Sequence, residues 1–550
     1  MGDDQQDGRL RGHGGALAVA AARAHGIGTM FTLSGGHVFP LYDGAVQSDP
    51  PMRLVDVRHE QSAVFAAEGM AKLTRVPGLA VLTAGPGITN GISAVTTAHF
   101  NGSPLLVLGG RAAQARWGAG ALQELDHPPL LAPVTKRAAT IGAVAEIPAA
   151  VDEGLRLAAT PHRGPVFLDV PIDVLFSHGE ADAPAAAGVA PAVPDPEAVE
   201  EVARALATAR KPVLVLSSDV WAGGAEDAAR RAAETMGLPT ITNGMGRGVL
   251  PAGHPLLVTR ARSRAFGAAD LVVVVGAPLD FRLGYGQFSG GAKVCQLTDS
   301  AGQLAGHVEL AGSACGDLTL VLDGLVEAWQ RAGGARYADW VAELRGLADA
   351  AVAADAEVLD SDADPIHPAR VYRELGRQLS EDTVVIGDGG DFVSYAGRFV
   401  EPRRPGCWLD PGPYGCLGTG LGYAIAARIA RPSAPVVLLL GDGAAGFSLM
   451  DVDTLVRHGL PVVMIVGNNG IWALEKHPMR FLYGYDVVAE LAPRTRYDEV
   501  VRALGGAGEL VTAPDDIGPA IKRGLDSGVP YLVNVITDPA VAYPRSTTGI

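Results

Sequence analysis

The sequence predicts an α/β protein made of three consecutive doubly wound, Rossmann-like parallel-sheet domains. Three observations carry that expectation. Short apolar runs of strand length alternate with amphipathic stripes of helical spacing along all 550 residues, the pattern of parallel sheets covered by helices on both faces. Two stretches interrupt the alternation and read as linkers: residues 179–196, rich in Pro and Ala, and residues 352–368, rich in Ala and Asp and closing on Asp364-Pro365-Ile366-His367-Pro368. Near the C-terminus, the apolar run 435–440 ends in Gly441-Asp442-Gly443 and the run 461–466 ends in Gly467-Asn468-Asn469-Gly470. Strands buried on both faces finish in this way.

The linkers divide the chain into a first domain at 12–178, a middle domain at 197–350, a third domain at 367–540 and a tail at 541–550. Expected strands lie at 30–33, 79–83 and 105–108 in the first, at 212–216, 271–275 and 294–297 in the middle, and at 384–386 plus the two C-terminal runs in the third. Hydrophobic residues make up 48% and charged residues 19%, so the chain is globular rather than disordered. A net charge of −16 argues against nucleic-acid binding, while a local basic patch could still grip a phosphorylated ligand. The four cysteines show no CxxC pair, which suits reduced thiols in the cytoplasm. The first 14 residues are polar and unlike a signal peptide. No apolar stretch reaches the roughly 18 residues that suggest a membrane span.

Between the two C-terminal runs, residues 447–458 read as a helix, with Leu449, Val452, Leu455 and Val456 on one stripe. Strand, helix, strand is a βαβ unit, whose two strands are parallel. Adjacent strands lie about 4.8 Å apart, so Asp442 and Asn469 emerge side by side at the carboxyl edge, where open α/β sheets bind ligands. Asp442 offers a hard anionic oxygen, Asn469 an amide oxygen, and the turn beyond it the carbonyl of Ile471. Three such oxygens suit a magnesium ion completed by phosphate and water. Gly441, Gly443 and Ala444 open a helix whose N–H groups can receive a diphosphate. Taken singly, these residues also fit an ordinary strand-end Asp and an Asn-Asn-Gly turn.

Asn469 lies 27 residues beyond Asp442. That spacing across a βαβ unit resembles the thiamine-diphosphate motif of the decarboxylase and acetohydroxyacid synthase superfamily. The likeness covers essentially the whole chain, which matches that superfamily's pyrimidine-binding, central and diphosphate-binding domains. It implies thiamine diphosphate and Mg2+ as cofactors. It also implies active sites shared between a first and a third domain of different chains, hence at least a homodimer and by preference a homotetramer.

In the first domain, Glu60 opens a helix running to about Lys72. Ala63, Val64, Ala67, Met70 and Ala71 fall on its side of the wheel. A carboxylate on an apolar face needs a partner, although a helix-start Glu facing water is also favoured by the dipole. The resemblance makes Glu60 the catalytic glutamate that bonds the pyrimidine ring of the cofactor and promotes loss of the thiazolium proton. Gly85-Pro86-Gly87 resembles the family turn lining the site, and Gln123-Glu124 a substrate-facing stretch. Gly36 and His37 follow a strand end and are either pocket or plain loop residues.

In the middle domain Arg260, Arg262, Ser263, Arg264, Asp280 and Arg282 cluster in sequence. They read either as a solvated basic helix start or as a site for the ADP part of coenzyme A, or for FAD, as the superfamily uses this domain. Gly244-Met245-Gly246-Arg247-Gly248 signals little alone.

In the third domain, Gly412–Gly418 resembles the segment that bends the cofactor. Leu417 would be the wedge, if it is not plain core, and Gly415 would offer its carbonyl to the aminopyrimidine. The stretch Gly387-Asp388-Gly389-Gly390-Asp391 is a candidate to line the same crevice, Asp388 and Gly389 first. Glu475, six residues past Asn469, is either a solvent-facing neighbour of Lys476 or the proton-transferring glutamate of the pyruvate-decarboxylase-like members. Acetohydroxyacid synthases generally lack a carboxylate there. The segment 496–506 resembles oxalyl-CoA decarboxylases and 2-hydroxyacyl-CoA lyases, and the tail at 543–550 resembles their lids. The resemblance therefore implies first a lyase cleaving a 2-hydroxyacyl-CoA to formyl-CoA and an aldehyde or ketone. Its alternative is an acetolactate synthase joining 2-ketoacids with FAD in the middle domain. A third reading is an inactive cofactor-binding subunit.

Overall fold

The computed structural model describes residues 8–544. The first domain is a six-stranded sheet in the order Arg53–Asp56, Thr29–Thr32, Gly78–Leu82, Leu105–Arg111, Pro165–Pro171, Arg137–Thr140, every pair parallel. The third domain repeats that order with Trp408–Leu409, Val384–Asp388, Val436–Gly441, Val463–Asn468, Tyr531–Ile536 and Ala507–Val511. The middle domain carries five parallel strands, Thr240–Thr242, Pro212–Leu216, Leu271–Val275, Lys293–Thr298 and Gly312–Cys315. The central strands are almost entirely buried, which is why Val and Leu run through them without alternation.

Three sequence expectations change. The helix expected at 447–458 begins earlier, at Asp442–Ser448, breaks through a short 3-10 turn at Leu449–Asp451 and resumes at Val452–Arg457. Leu449, Val452 and Leu455 are still buried; the stripe located the buried face but not the break. The expected linker at 179–196 opens as a strand, His178–Asp182, antiparallel to Arg9–His13. The expected linker at 352–368 is helical at its start, because Ala338–Ala354 and Ala356–Leu359 run into it; Ala-rich sequence favours helix over coil.

The first and third domains meet along Glu60–Thr74 and Thr419–Ala430. Glu68 is fully buried there. Its carboxylate accepts from Asn101 at 2.8 Å, Ser103 at 3.0 Å and the Tyr423 hydroxyl at 2.9 Å, with Lys72 Nζ at 3.3 Å. Among the described residues no helix is long and apolar enough to cross a membrane.

Candidate active site

In a sheet of this order, the first and third strands in sequence diverge to opposite sides and open a crevice at their carboxyl ends. In the third domain these strands are Val384–Asp388 and Val436–Gly441, and a crevice of about 470 Å³ opens there. Gly441 is level with Gly467 on the neighbouring strand, so Asp442 and Asn469 do leave adjacent strand ends, and both line the crevice with Ile471. Asp442 is buried. Its carboxylate accepts from the backbone N–H of Gly470 at 2.6 Å and of Gly443 at 2.9 Å, yet burial outweighs these bonds and pushes its pKa up to about 6. A divalent cation would return the proton and hold the group ionised. Asn469 closes a local turn by accepting from Ile471 N–H at 3.1 Å, which leaves a lone pair of its amide oxygen for a cation. The oxygen donors present therefore fit magnesium. Gly443 must be glycine for packing, since a Cβ there would lie 2.5 Å from the Trp472 ring.

Gly389, Gly415, Leu417, Gly441, Gly443, Ala444 and Glu475 line the same crevice. Leu417 is half-buried and Gly415 exposed, so Leu417 is available as a wedge and is not core. Glu475 lies in the first turn of the helix Ala473–Tyr483 and is exposed, while Lys476 beside it is buried and paired with Glu490. The structure places Asp388 differently from the sequence expectation. Its side chain is wholly buried and turned away from the crevice, accepting from Gly418 N–H at 3.1 Å and Gly420 N–H at 2.8 Å at the start of Thr419–Ala430. Burial pushes its pKa up to about 7. Asp388 thus anchors the segment bearing Leu417.

The first-domain candidates converge at that domain's own carboxyl edge. Glu60 is buried and accepts from the Asn90 side chain at 3.0 Å. A Cβ on Gly87 would lie 3.7 Å from its Oε1, and one on Gly85 would lie 2.9 Å from Cβ of Gln123. His37 Nδ1 meets the Thr83 hydroxyl at 3.4 Å, and burial lowers its pKa. Gly36 opens the turn that carries it, and Pro86 begins the helix Pro86–Phe100. None of the residues lining the third-domain crevice comes from this group. One chain therefore carries two separate clusters.

The middle-domain basic cluster is dispersed. Arg260 pairs with Asp355, Arg262 donates to the carbonyl of Arg282 at 2.5 Å, and Arg282 pairs with Asp280 at 2.7 Å. Ser263 and Arg264 are exposed. Of these residues, only Arg282 lines the small cavity of about 40 Å³ where the three domains meet, together with Lys72, Arg75, Arg163 and Trp221. Arg75 and Arg163 there are already paired with Glu226 at 2.6 Å and Asp299 at 3.1 Å.

Other lining residues carried a weak sequence signal or, like Asn243, none. Asn243, Gly244 and Arg247 of the middle domain reach the third-domain crevice, Arg247 being held by the carbonyls of Val400 at 3.0 Å and Gly397 at 2.7 Å. Asp391 also lines it and accepts from Tyr543 N–H at 3.0 Å, so the start of the tail docks beside the site. Residues 545–550, the rest of the expected lid, lie outside the described residues.

A three-domain α/β chain with a cation-binding strand end of this kind is a thiamine-dependent enzyme. Family models agree: residues 12–130 match the thiamine pyrophosphate enzyme N-terminal TPP binding domain, 199–325 the central domain and 388–535 the C-terminal TPP binding domain. The chain belongs to the thiamine pyrophosphate enzyme family. It is 51% identical over 537 residues to the acetolactate synthase large subunit IlvG of Mycobacterium tuberculosis, covering 97% of both chains. It is 34% identical to 2-hydroxyacyl-CoA lyase 2 of Homo sapiens, over 95% of this chain and 90% of that protein. The corresponding lyase of Caenorhabditis elegans is also 34% identical, over 92% and 86%.

Proposed function

We propose that the protein is a Mg2+-dependent carbon–carbon lyase that cleaves a 2-hydroxyacyl-CoA to formyl-CoA and an aldehyde or ketone, by reversible acyloin-type chemistry. The observation that carries this reading is the Glu475 carboxylate in the wall of the Asp442–Asn469 crevice. Thiamine diphosphate, when bound, supplies the nucleophilic carbon and the electron sink. Asp442, Asn469 and the carbonyl of Ile471 hold the cation, and the N–H groups from Gly441 to Ala444 receive the diphosphate. Glu475 accepts the substrate hydroxyl proton as the carbon–carbon bond breaks, then returns it to the carbon left behind. An enzyme that joins that carbon to a second ketoacid gains nothing from such a proton donor.

Glu60 belongs to the first-domain cluster, so it serves the crevice of another subunit, in a homodimer or a homotetramer of such dimers. The nucleotide of coenzyme A would lie on the middle domain, beside Arg262 and Arg282. Four free thiols suit a reducing compartment such as the cytoplasm.

The second reading is acetolactate synthesis from 2-ketoacids with FAD in the middle domain; its support is the 51%-identical relative, an acetolactate synthase large subunit. The deciding experiment offers the purified protein a 2-hydroxyacyl-CoA and, separately, pyruvate. Formyl-CoA detected by mass spectrometry supports the lyase; acetolactate with protein-bound FAD supports the synthase.

A further inference from the structure

A buried histidine outside both clusters holds the first-domain turn in place. His127 is fully buried in the irregular segment after Gln123. Its Nε2 lies 3.0 Å from the backbone N–H of Gly85, and its Nδ1 lies 2.8 Å from Asp169 Oδ2. An amide N–H can only donate, so Nε2 must be the accepting nitrogen and the ring proton sits on Nδ1, donated to Asp169. Asp169, also fully buried, is fixed in turn by Arg111 at 2.9 Å and the Thr140 hydroxyl at 2.5 Å. Four residues from four segments of the domain thus converge on one backbone amide.

That amide matters because of where it points the chain. Gly85 has φ +62° and precedes the helix Pro86–Phe100. This helix carries Gly87 against Glu60 and Asn90 into a hydrogen bond with it. A shift of the Gly85 turn would carry Asn90 and the floor beneath Glu60 with it.

We propose that His127 is a positioning residue: through Gly85 it sets the pitch of the helix that holds Glu60 in its reactive geometry. The proposal rests on the family's use of Glu60 toward thiamine diphosphate. The test compares His127→Asn with His127→Gln in the full-length, cofactor-loaded protein. Both are neutral and polar, but only the Gln side chain is long enough to put an acceptor oxygen where Nε2 sits. Hydrogen–deuterium exchange of the peptide spanning residues 83–90 reads the Gly85 amide, independently of turnover.

The expected result is lost protection of one amide in the Asn variant, with kcat down about tenfold and KM little changed, the scale of one lost hydrogen bond expressed in a transition state. The Gln variant should keep the protection and turn over within about threefold of wild type. Equal protection in all three proteins, or equal turnover by the two variants, would overturn the proposal. If the Asn variant does not fold, the Gln variant decides alone: retained protection supports the proposal and lost protection sinks it. Wild-type protein without any thiamine-dependent turnover would count against the use of Glu60, while the exchange measurement would still judge the hold of His127 on Gly85.

Discussion

Asp442 accepts a hydrogen bond from the backbone N–H of Gly470 at 2.6 Å, so the acid on one strand end is held by the turn that presents Asn469 on the next. The two residues proposed to hold the cation are thereby built as one unit. The same burial that rigidifies this unit holds the Asp442 pKa at about 6. A proton and a metal ion therefore compete for the same oxygens.

Asp442→Asn keeps the shape and removes the charge. Mg2+ affinity should fall by about 100-fold, with diphosphate binding lost alongside, as measured by calorimetry. In the wild type, affinity should fall about tenfold per pH unit below about pH 6 and level off above it, because a raised pKa means the proton is lost only near that pH. A flat pH profile would mean that Asp442 is not a ligand.

Glu60→Gln preserves an oxygen for the Asn90 side chain while removing the ionisable proton. Turnover should drop by about 10²-fold or more, the scale of a lost proton-transfer group, with cofactor affinity unchanged. Near-normal turnover would leave Glu60 a buried structural carboxylate.

Glu475→Ala separates the two chemical readings. For a lyase it should slow formyl-CoA release by about 10²-fold, because Glu475 carries that proton. For a ketoacid-joining enzyme the rate of acetolactate formation should be little affected. Progress curves on both substrates distinguish these outcomes.

The strand ends were readable in the sequence because strong patterns coincide there: an uninterrupted apolar run, then a cluster of glycine and polar residues. Resemblance then supplied the roles. The same patterning misled at Asp388, in a second Gly-Asp-Gly at a strand end whose Gly389 does line the crevice. There the carboxylate is consumed by Gly418 and Gly420, and only the fold reveals which way a strand-end side chain turns. Arg260, Arg262 and Arg282 looked like one patch because they are near in sequence, yet each is committed locally or to Asp355. His127 was illegible for the opposite reason. It stands alone in an irregular loop, and its partners Gly85, Asp169, Arg111 and Thr140 are brought to it by the strand order alone.

The two clusters lead to a test of assembly. Glu60 is not among the residues that line the Asp442 crevice, so in the proposed homodimer the two would act on one cofactor from different subunits. A protein lacking Glu60 and a protein lacking Asp442 should each be inactive alone. Pair them in a dimer and one crevice combines both defects, while the other joins the intact Glu60 of one chain to the intact Asp442 of the other. Random pairing makes half the dimers mixed, each with one working site of two, so co-expression of Glu60→Gln with Asp442→Ala should restore about a quarter of wild-type activity. Differently tagged copies, purified in tandem, should reach about half. If each chain used its own Glu60 and Asp442, every site would carry a defect and co-expression would restore nothing. Activity recovered in the tandem-purified fraction, and absent from both single-variant preparations, is therefore the outcome that places the reaction between subunits.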